Sequence, residues 1–212
     1  MGYQYTAIGD SLTTGFGALP GNGFVPVYRR MAEGRLRTTV ASTNLGVNGM
    51  TTSELEQRLR GNSMMREAVR EADIITVSIG GNDLIHAAKS AARQQGNLSA
   101  ELRRSLQECK QNFSAIMNIL IQLKARTRRP FIIRIVGLYN PYPQVVGATE
   151  WVRQFNQYAA QYSSRVCGFA SIYSEFAGNE RGLLSIDHLH PNGRGYRVIA
   201  EKLDALGYGG LN

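Results

Sequence analysis

The sequence predicts an α/β fold, with a parallel sheet covered by helices on both faces. Three observations carry this. Apolar, strand-like runs recur at residues 3–9, 39–45, 74–79, 131–136 and 165–173. Helical patterns lie between them, and strands that alternate with helices favour parallel pairing. Two longer connections, 84–97 and 137–147, follow the third and fourth strands. In an open sheet of this kind both belong to the edge at the strands' C-terminal ends, where ligands bind.

The elements follow in chain order. After the first strand, Phe24, Val27, Tyr28 and Met31 recur at three- and four-residue spacings and mark one face of a helix. Leu55 and Leu59 mark a second helix, with a further turn or helix through Met65 and Val69. The segment after the third strand reads as a loop and partial lid, with Gly96 and Asn97 as its hinge. The longest helical stripe is Leu102, Leu106, Cys109, Phe113, Ile116, Met117, Leu120 and Leu123. Ser99 is suited to cap it, Arg126, Arg128 and Arg129 suit its negative end, and Pro130 stops it. Its length predicts a bend or a break. Another helix is expected over 148–163. The last carries Tyr196, Ile199, Ala200, Leu203 and Leu206 on one face and closes at Gly207. No repeat or low-complexity tract divides the chain, so residues 1–212 read as one domain.

The composition, 43% hydrophobic and 19% charged, is that of an ordinary globular protein. The formal charge is +8. The basic residues are scattered rather than gathered, which reads as a solvated surface and not a nucleic-acid site. Peripheral contact with anionic lipid stays open. Cys109 and Cys167 form no CxxC pair, and two buried thiols are the simple reading. No run is apolar enough to span a bilayer. The first strand starts a few residues from Met1 and leaves no room for a signal peptide, which predicts a cytoplasmic product unless a leader has been removed.

Four local signals converge on the same predicted edge: Gly9-Asp10-Ser11-Leu12 after strand one, Asn44-Leu45-Gly46-Val47-Asn48-Gly49 after strand two, Gly80-Gly81-Asn82-Asp83 after strand three, and Asp187-His188-Leu189-His190-Pro191 before the last helix. Ester hydrolysis explains them jointly. A serine hydroxyl needs a base, the base needs an orienting carboxylate, and the tetrahedral intermediate needs donors aimed at its oxyanion. The G-x-S-x-G nucleophile elbow is absent, so the ordinary α/β-hydrolase fold is not the match.

With these blocks in this order, the chain resembles the SGNH, or GDSL, hydrolase family of small bacterial esterases, lipases and lysophospholipases, over nearly its whole length. The resemblance implies a flavodoxin-like, three-layer α/β/α domain with a five-stranded parallel sheet. It implies Ser11 as nucleophile, His190 as base and Asp187 as its orienting acid. The Ser11 and Gly49 backbone N–H groups and the Asn82 side-chain amide would form the oxyanion hole. It implies no cofactor and no metal. Among relatives, the short esterase-like proteins of Bacillus and its kin, some tied to spores, are the nearest in pattern.

Bland readings stand beside these. Ser11 suits a turn, Gly49 a positive-φ position, Asn82 a helix cap. Asp10 and Asp83 read as structural acceptors that hold the turns carrying Ser11 and Asn82. Of the H-x-H pair, His188 reads as a rim residue. A zinc site built on His188, His190 and Asp187 would leave Ser11, Gly49 and Asn82 unexplained. Leu19 and Phe24 are expected on one wall of a substrate cleft. Leu84, Tyr139, Tyr142 and Val145 are expected around the rest, with prolines stiffening the loop. The expected substrate is a short- to medium-chain carboxylic ester. A phospholipid or lysophospholipid and an acetylated carbohydrate are the alternatives, and a non-catalytic module for an anionic surface or polymer is the competing class.

Overall fold

The computed structural model describes residues 2–94, 97–127 and 129–211. These form five strands, β1 (Tyr3–Gly9), β2 (Val40–Gly46), β3 (Ile74–Ser78), β4 (Ile132–Val136) and β5 (Cys167–Ala170). All pair in parallel, in the order β2-β1-β3-β4-β5. The helices are α1 (Ser11–Thr14), α2 (Phe24–Leu36), α3 (Thr52–Gly61), α4 (Ser63–Glu71), α5 (Gly81–Gln94), α6 (Leu98–Ala125), α7 (Ala148–Ala160), α8 (Tyr173–Phe176), α9 (Glu180–Leu183) and α10 (Gly193–Asp204). The architecture is the three-layer α/β fold that the sequence predicts.

Alternation along each strand sorts the apolar residues between two cores. Ile75, Val77, Ile133 and Ile135 face the layer built from α3 to α7. Tyr5, Ala7, Ile74, Ile132 and Val136 face α2 and α10. Because β3 and β4 are buried on both faces, their sequences IITVS and IIRIV read as nearly continuous apolar runs.

The strand order reverses direction between β1 and β3. Connections on either side of that point leave the sheet toward opposite faces, so a crevice opens above the two strand ends. Ser11 follows β1 and Asn82 follows β3, which sets both at the crevice.

Several expectations change. Residues 84–94 are not a loop: they continue α5 from Gly81, and Leu84, Ala87 and Ala91 are buried beneath it. The hinge expected at Gly96 lies outside the described residues, and its partner Asn97 is the N-cap of α6. The Asn97 side chain accepts from the Ala100 N–H at 3.1 Å, the role expected of Ser99, and α6 runs 28 residues as one helix. Arg128, expected near its end, lies outside the described residues. The strand expected over 165–173 is shorter, because Ser171 and Ile172 lead directly into α8.

Candidate active site

The turn after β1 is built for close approach. Gly9 has φ +142°, and a Cβ there would collide with the Ser78 carbonyl. Only glycine lets β1 end this near β3. The Asp10 N–H donates to that same carbonyl at 3.0 Å. The Asp10 side chain then caps α1, accepting from the Leu12 N–H at 3.0 Å and from the Ser78 hydroxyl at 3.0 Å. Ser78 and Thr13 share a further hydrogen bond at 2.7 Å. Asp10 is buried, and desolvation pushes its carboxyl up to about 7 despite these donors. Ser11, the first residue of α1, is thereby fixed at the crevice.

The Ser11 Oγ lies 2.9 Å from the His190 Nε2. The His190 Nδ1 lies 2.6 Å from the Asp187 Oδ2. With the proton on Nδ1, Nε2 is left to accept from the serine hydroxyl. The other Asp187 oxygen accepts from the Leu189 and His190 N–H groups, each at 3.0 Å. Burial opposes ionisation of this carboxyl, but those donors and the imidazole outweigh it and hold it below the usual carboxylate range. His188 occupies a left-handed conformation, φ +55°, and is exposed.

The loop that carries the pair is anchored from several sides. The Tyr139 hydroxyl donates to the Leu189 carbonyl at 2.6 Å. The Ser185 N–H donates to the His190 carbonyl at 2.7 Å. The Phe16 ring stands edge-on to the His190 ring, centroids 4.7 Å apart. From α10, the buried Tyr196 hydroxyl lies 2.7 Å from the Phe16 carbonyl and 3.4 Å from that of Ser11. Asn192, not Asp187, caps α10, accepting from Arg194 and Gly195.

Opposite the triad, the Ser11 and Gly49 N–H groups have no intramolecular acceptor among the described residues. Gly49 turns at φ +79° and lies on the wall of a neighbouring polar hollow that also holds Glu54, Gln57 and Arg58. The Asn82 amide donates one hydrogen to the Met50 carbonyl at 2.9 Å, and its second has no acceptor among the described residues. Asp83 makes the same connection stronger: its carboxylate accepts from the Thr52 hydroxyl at 2.6 Å and the Thr52 N–H at 3.0 Å. Asn112 of α6 supports Thr52 from behind at 3.3 Å. Two adjacent residues at the start of α5 therefore clamp the loop of Gly49 to the loop of Asn82.

A cleft of about 410 Å³ opens beside Ser11, Asn82 and His190. Leu84, Tyr139, Tyr142 and Val145 line it, as the sequence suggests. Leu19 and Phe24 do not. Phe24 is fully buried, packed near Tyr196 in the core beneath α2, because it starts that helix on its inward face. Leu19 is 76% exposed on the outer side of its loop. Sequence reasoning missed Ile85, Ala88, Lys89 and Ala92, which form a wall along α5. A helical reading of residues 81–94 would have found them, since they recur at three- and four-residue steps.

Comparison with known proteins agrees with this geometry. Residues 7–198 match the model of the GDSL-like lipase/acylhydrolase family. The spore germination lipase LipC of Bacillus licheniformis is 35% identical over 213 residues, covering 100% of this chain and 99% of that protein. The crystal structure of a lipase from a goat rumen metagenome superposes with a TM-score of 0.91 at 34% identity, covering 99% of this chain and 100% of that one. The acetylxylan esterase Axe2 of Geobacillus stearothermophilus shares the fold, with a TM-score of 0.66 at 17% identity over 96% of this chain and 93% of that one. With a sheet, a serine-histidine-aspartate relay and a full-length match all pointing one way, this chain belongs to the GDSL-like lipase/acylhydrolase family.

Proposed function

We propose that the chain, acting as a single domain, hydrolyses short- to medium-chain carboxylic esters through an acyl intermediate on Ser11. The observation that carries this is the unbroken relay from Ser11 through His190 to Asp187, at 2.9 and 2.6 Å. In this reading His190 takes the Ser11 proton as Oγ attacks the ester carbonyl. The new C–O bond pushes the carbonyl electron pair onto oxygen, where the Ser11 and Gly49 N–H groups and the second Asn82 hydrogen receive it. Collapse expels the alcohol, which takes the proton from His190. Water then repeats the sequence against the acyl-serine, and the acid leaves with Ser11 restored. Asp187 holds the histidine tautomer and stabilises the imidazolium throughout.

The cleft supports an acyl group longer than acetyl. Leu84, Ile85, Ala88, Ala92, Leu138 and Val145 present apolar surface, and the wall of α5 spans the eleven residues from Asn82 to Ala92, about 15 Å of helix. A hydrocarbon chain laid along it gains burial, about 0.8 kcal/mol per methylene. The spore germination lipase relative turns the proposal toward lipid esters, phospholipid and lysophospholipid included, rather than acetylated polysaccharide.

Intact-protein mass after exposure to a fluorophosphonate, with peptide mapping, tests the reading. One adduct on Ser11, absent from Ser11→Ala, is expected. A folded wild-type chain that forms no adduct and cleaves no activated ester refutes it.

A further inference from the structure

We propose that the mouth of the cleft is a docking surface for an anionic phospholipid bilayer. The proposal deepens the ester-hydrolase reading, since it says in what physical form the substrate is met.

The distribution of exposed apolar side chains is the starting point. Among the described residues eight large ones are exposed, and three of them, Met64, Ile121 and Leu206, are scattered over α4, α6 and the residues after α10, as single exposed apolar residues are on most protein surfaces. The other five, Phe16, Leu19, Tyr142, Val146 and Ile186, sit on just three loops. These follow β1, follow β4 and precede α10, so all three stand at the C-terminal edge of the sheet. The first and third touch each other: a Cβ on Gly17 would meet the Ser185 and His190 Cβ atoms. Tyr142 lines the cleft, and Val146 follows Val145, which also lines it. The Tyr139 hydroxyl ties the second loop to the third at Leu189, so the five share the end of the molecule where the cleft opens, and of them Tyr142 lines it. Ile186 is 96% exposed, Val146 79% and Leu19 76%, so none of the three supports the interior. Exposed apolar side chains concentrated on the adjoining loops at the end where a cleft opens mark a surface that meets something apolar.

Charge on the same face selects the occupant. Arg30 donates to the Gly21 carbonyl beside Leu19. Arg194 adjoins Gly193, which packs toward Asn22, and Arg181 lies on α9 just ahead of the Ile186 loop. Lys89 stands on the cleft wall. None of these four cations is ion-paired among the described residues. Three carboxylates share the face and keep their charge, Asp187 beside His190, Glu180 on the Gly178 N–H and Glu150 beside Gln154, so the four cations outnumber them by one. Apolar tips beside cations that have no ion pair, on a chain of net charge +8, fit a surface of acyl chains beneath anionic headgroups. In that pose the cleft opens directly into the lipid, and an acyl ester enters without crossing bulk water.

The test is co-sedimentation of the full chain with vesicles of phosphatidylglycerol and phosphatidylcholine in equal parts, and with phosphatidylcholine alone. Turnover of soluble p-nitrophenyl butyrate is read in parallel. The wild type should bind the mixed vesicles far better, with an affinity that falls as salt is added. Leu19→Ser with Ile186→Ser, which removes the apolar tips without adding charge, should lose about tenfold or more in vesicle binding while soluble turnover stays unchanged. Arg181→Glu with Arg194→Glu, whose substitutions lie on exposed polar positions, should lower binding and flatten its salt dependence. Equal binding by wild type and the Leu19/Ile186 variant overturns the proposal, as does equal binding to neutral vesicles or none to either. Vesicle binding that is lost in the variants, with no soluble turnover by any form, supports the docking surface and counts against the hydrolase reading.

Discussion

Asn82 divides its amide between two tasks. One hydrogen fixes its position on Met50, and in the proposed mechanism the other receives the developing oxyanion. Asn82→Ala should therefore lower turnover by about 2.7–4 kcal/mol of transition-state stabilisation while leaving KM nearly unchanged, as steady-state kinetics will show. An equal rise in KM would mean that Asn82 binds the ground state instead. Asp10 makes a different prediction, in stability. Its carboxyl rises from 3.8 to about 7 in the fold, chiefly through desolvation. Between those values the folded chain keeps a proton that the unfolded chain has lost, so stability falls as pH rises through that window. Asp187 works in the opposite sense: its lowered carboxyl contributes stability above its unfolded value, lost as pH falls through the folded one. Asp10→Asn keeps an acceptor for Leu12 and removes the buried charge. It should raise stability by about 1–4 kcal/mol near pH 8 and little near pH 5, seen as a urea midpoint that shifts only at the higher pH. An equal shift at both values would show that the carboxyl does not titrate there.

At the scale of elements, the clamp between α3 and α5 couples the loop of Gly49 to the loop of Asn82. Thr52 opens α3 and Asp83 sits in the first turn of α5, so the Asp83–Thr52 pair fixes two helix starts at once. Asp83→Ala should lower kcat by up to about a hundredfold through misplacement of Gly49 and Asn82, with KM held. Asp83→Asn, which keeps one acceptor, should recover part of the loss. Identical kinetics for the two variants would mean that the carboxylate is only a fold support. Asp83 was legible as a structural acceptor, but its partner was not, because Thr52 lies 31 residues away and on a different strand connection. The helix itself was illegible for a local reason. It follows Gly80 and opens on Gly81-Asn82-Asp83, which signals a turn, and four of its residues are alanine, Ala87 and Ala91 on the buried face and Ala88 and Ala92 on the cleft wall. Alanine has high helix propensity but weak hydrophobic contrast, so periodicity failed where propensity would have succeeded. The cleft wall was lost with it. Phe24 failed in the reverse way, because its apolar character suits a cleft and a core equally, and only the turn of α2 decides between them.

Across the whole molecule, strand identity was legible because β3 and β4 carry unmistakable branched runs, and the four motifs fell at one edge because parallel strands put all their C-terminal ends there. The strand order was not written in any local pattern. It is fixed by crossovers between distant segments, as is the triad: Ser11 and His190 are 179 residues apart and meet only when β1 and the C-terminal helix α10 are packed on the same face. Tyr196 is the tie between those ends, through its hydroxyl to the Phe16 carbonyl at 2.7 Å. Activity should therefore report global folding. In a urea titration the loss of ester turnover and the loss of far-UV circular dichroism should share one midpoint. Tyr196→Phe removes the tie without removing the ring. The Phe16 carbonyl lies near the surface and can turn to water, so the cost should be about 1 kcal/mol, moving both midpoints down together. Turnover that disappears well before the circular dichroism, in the wild type, would place the triad on a separately melting loop and detach the site from the cooperativity of the sheet.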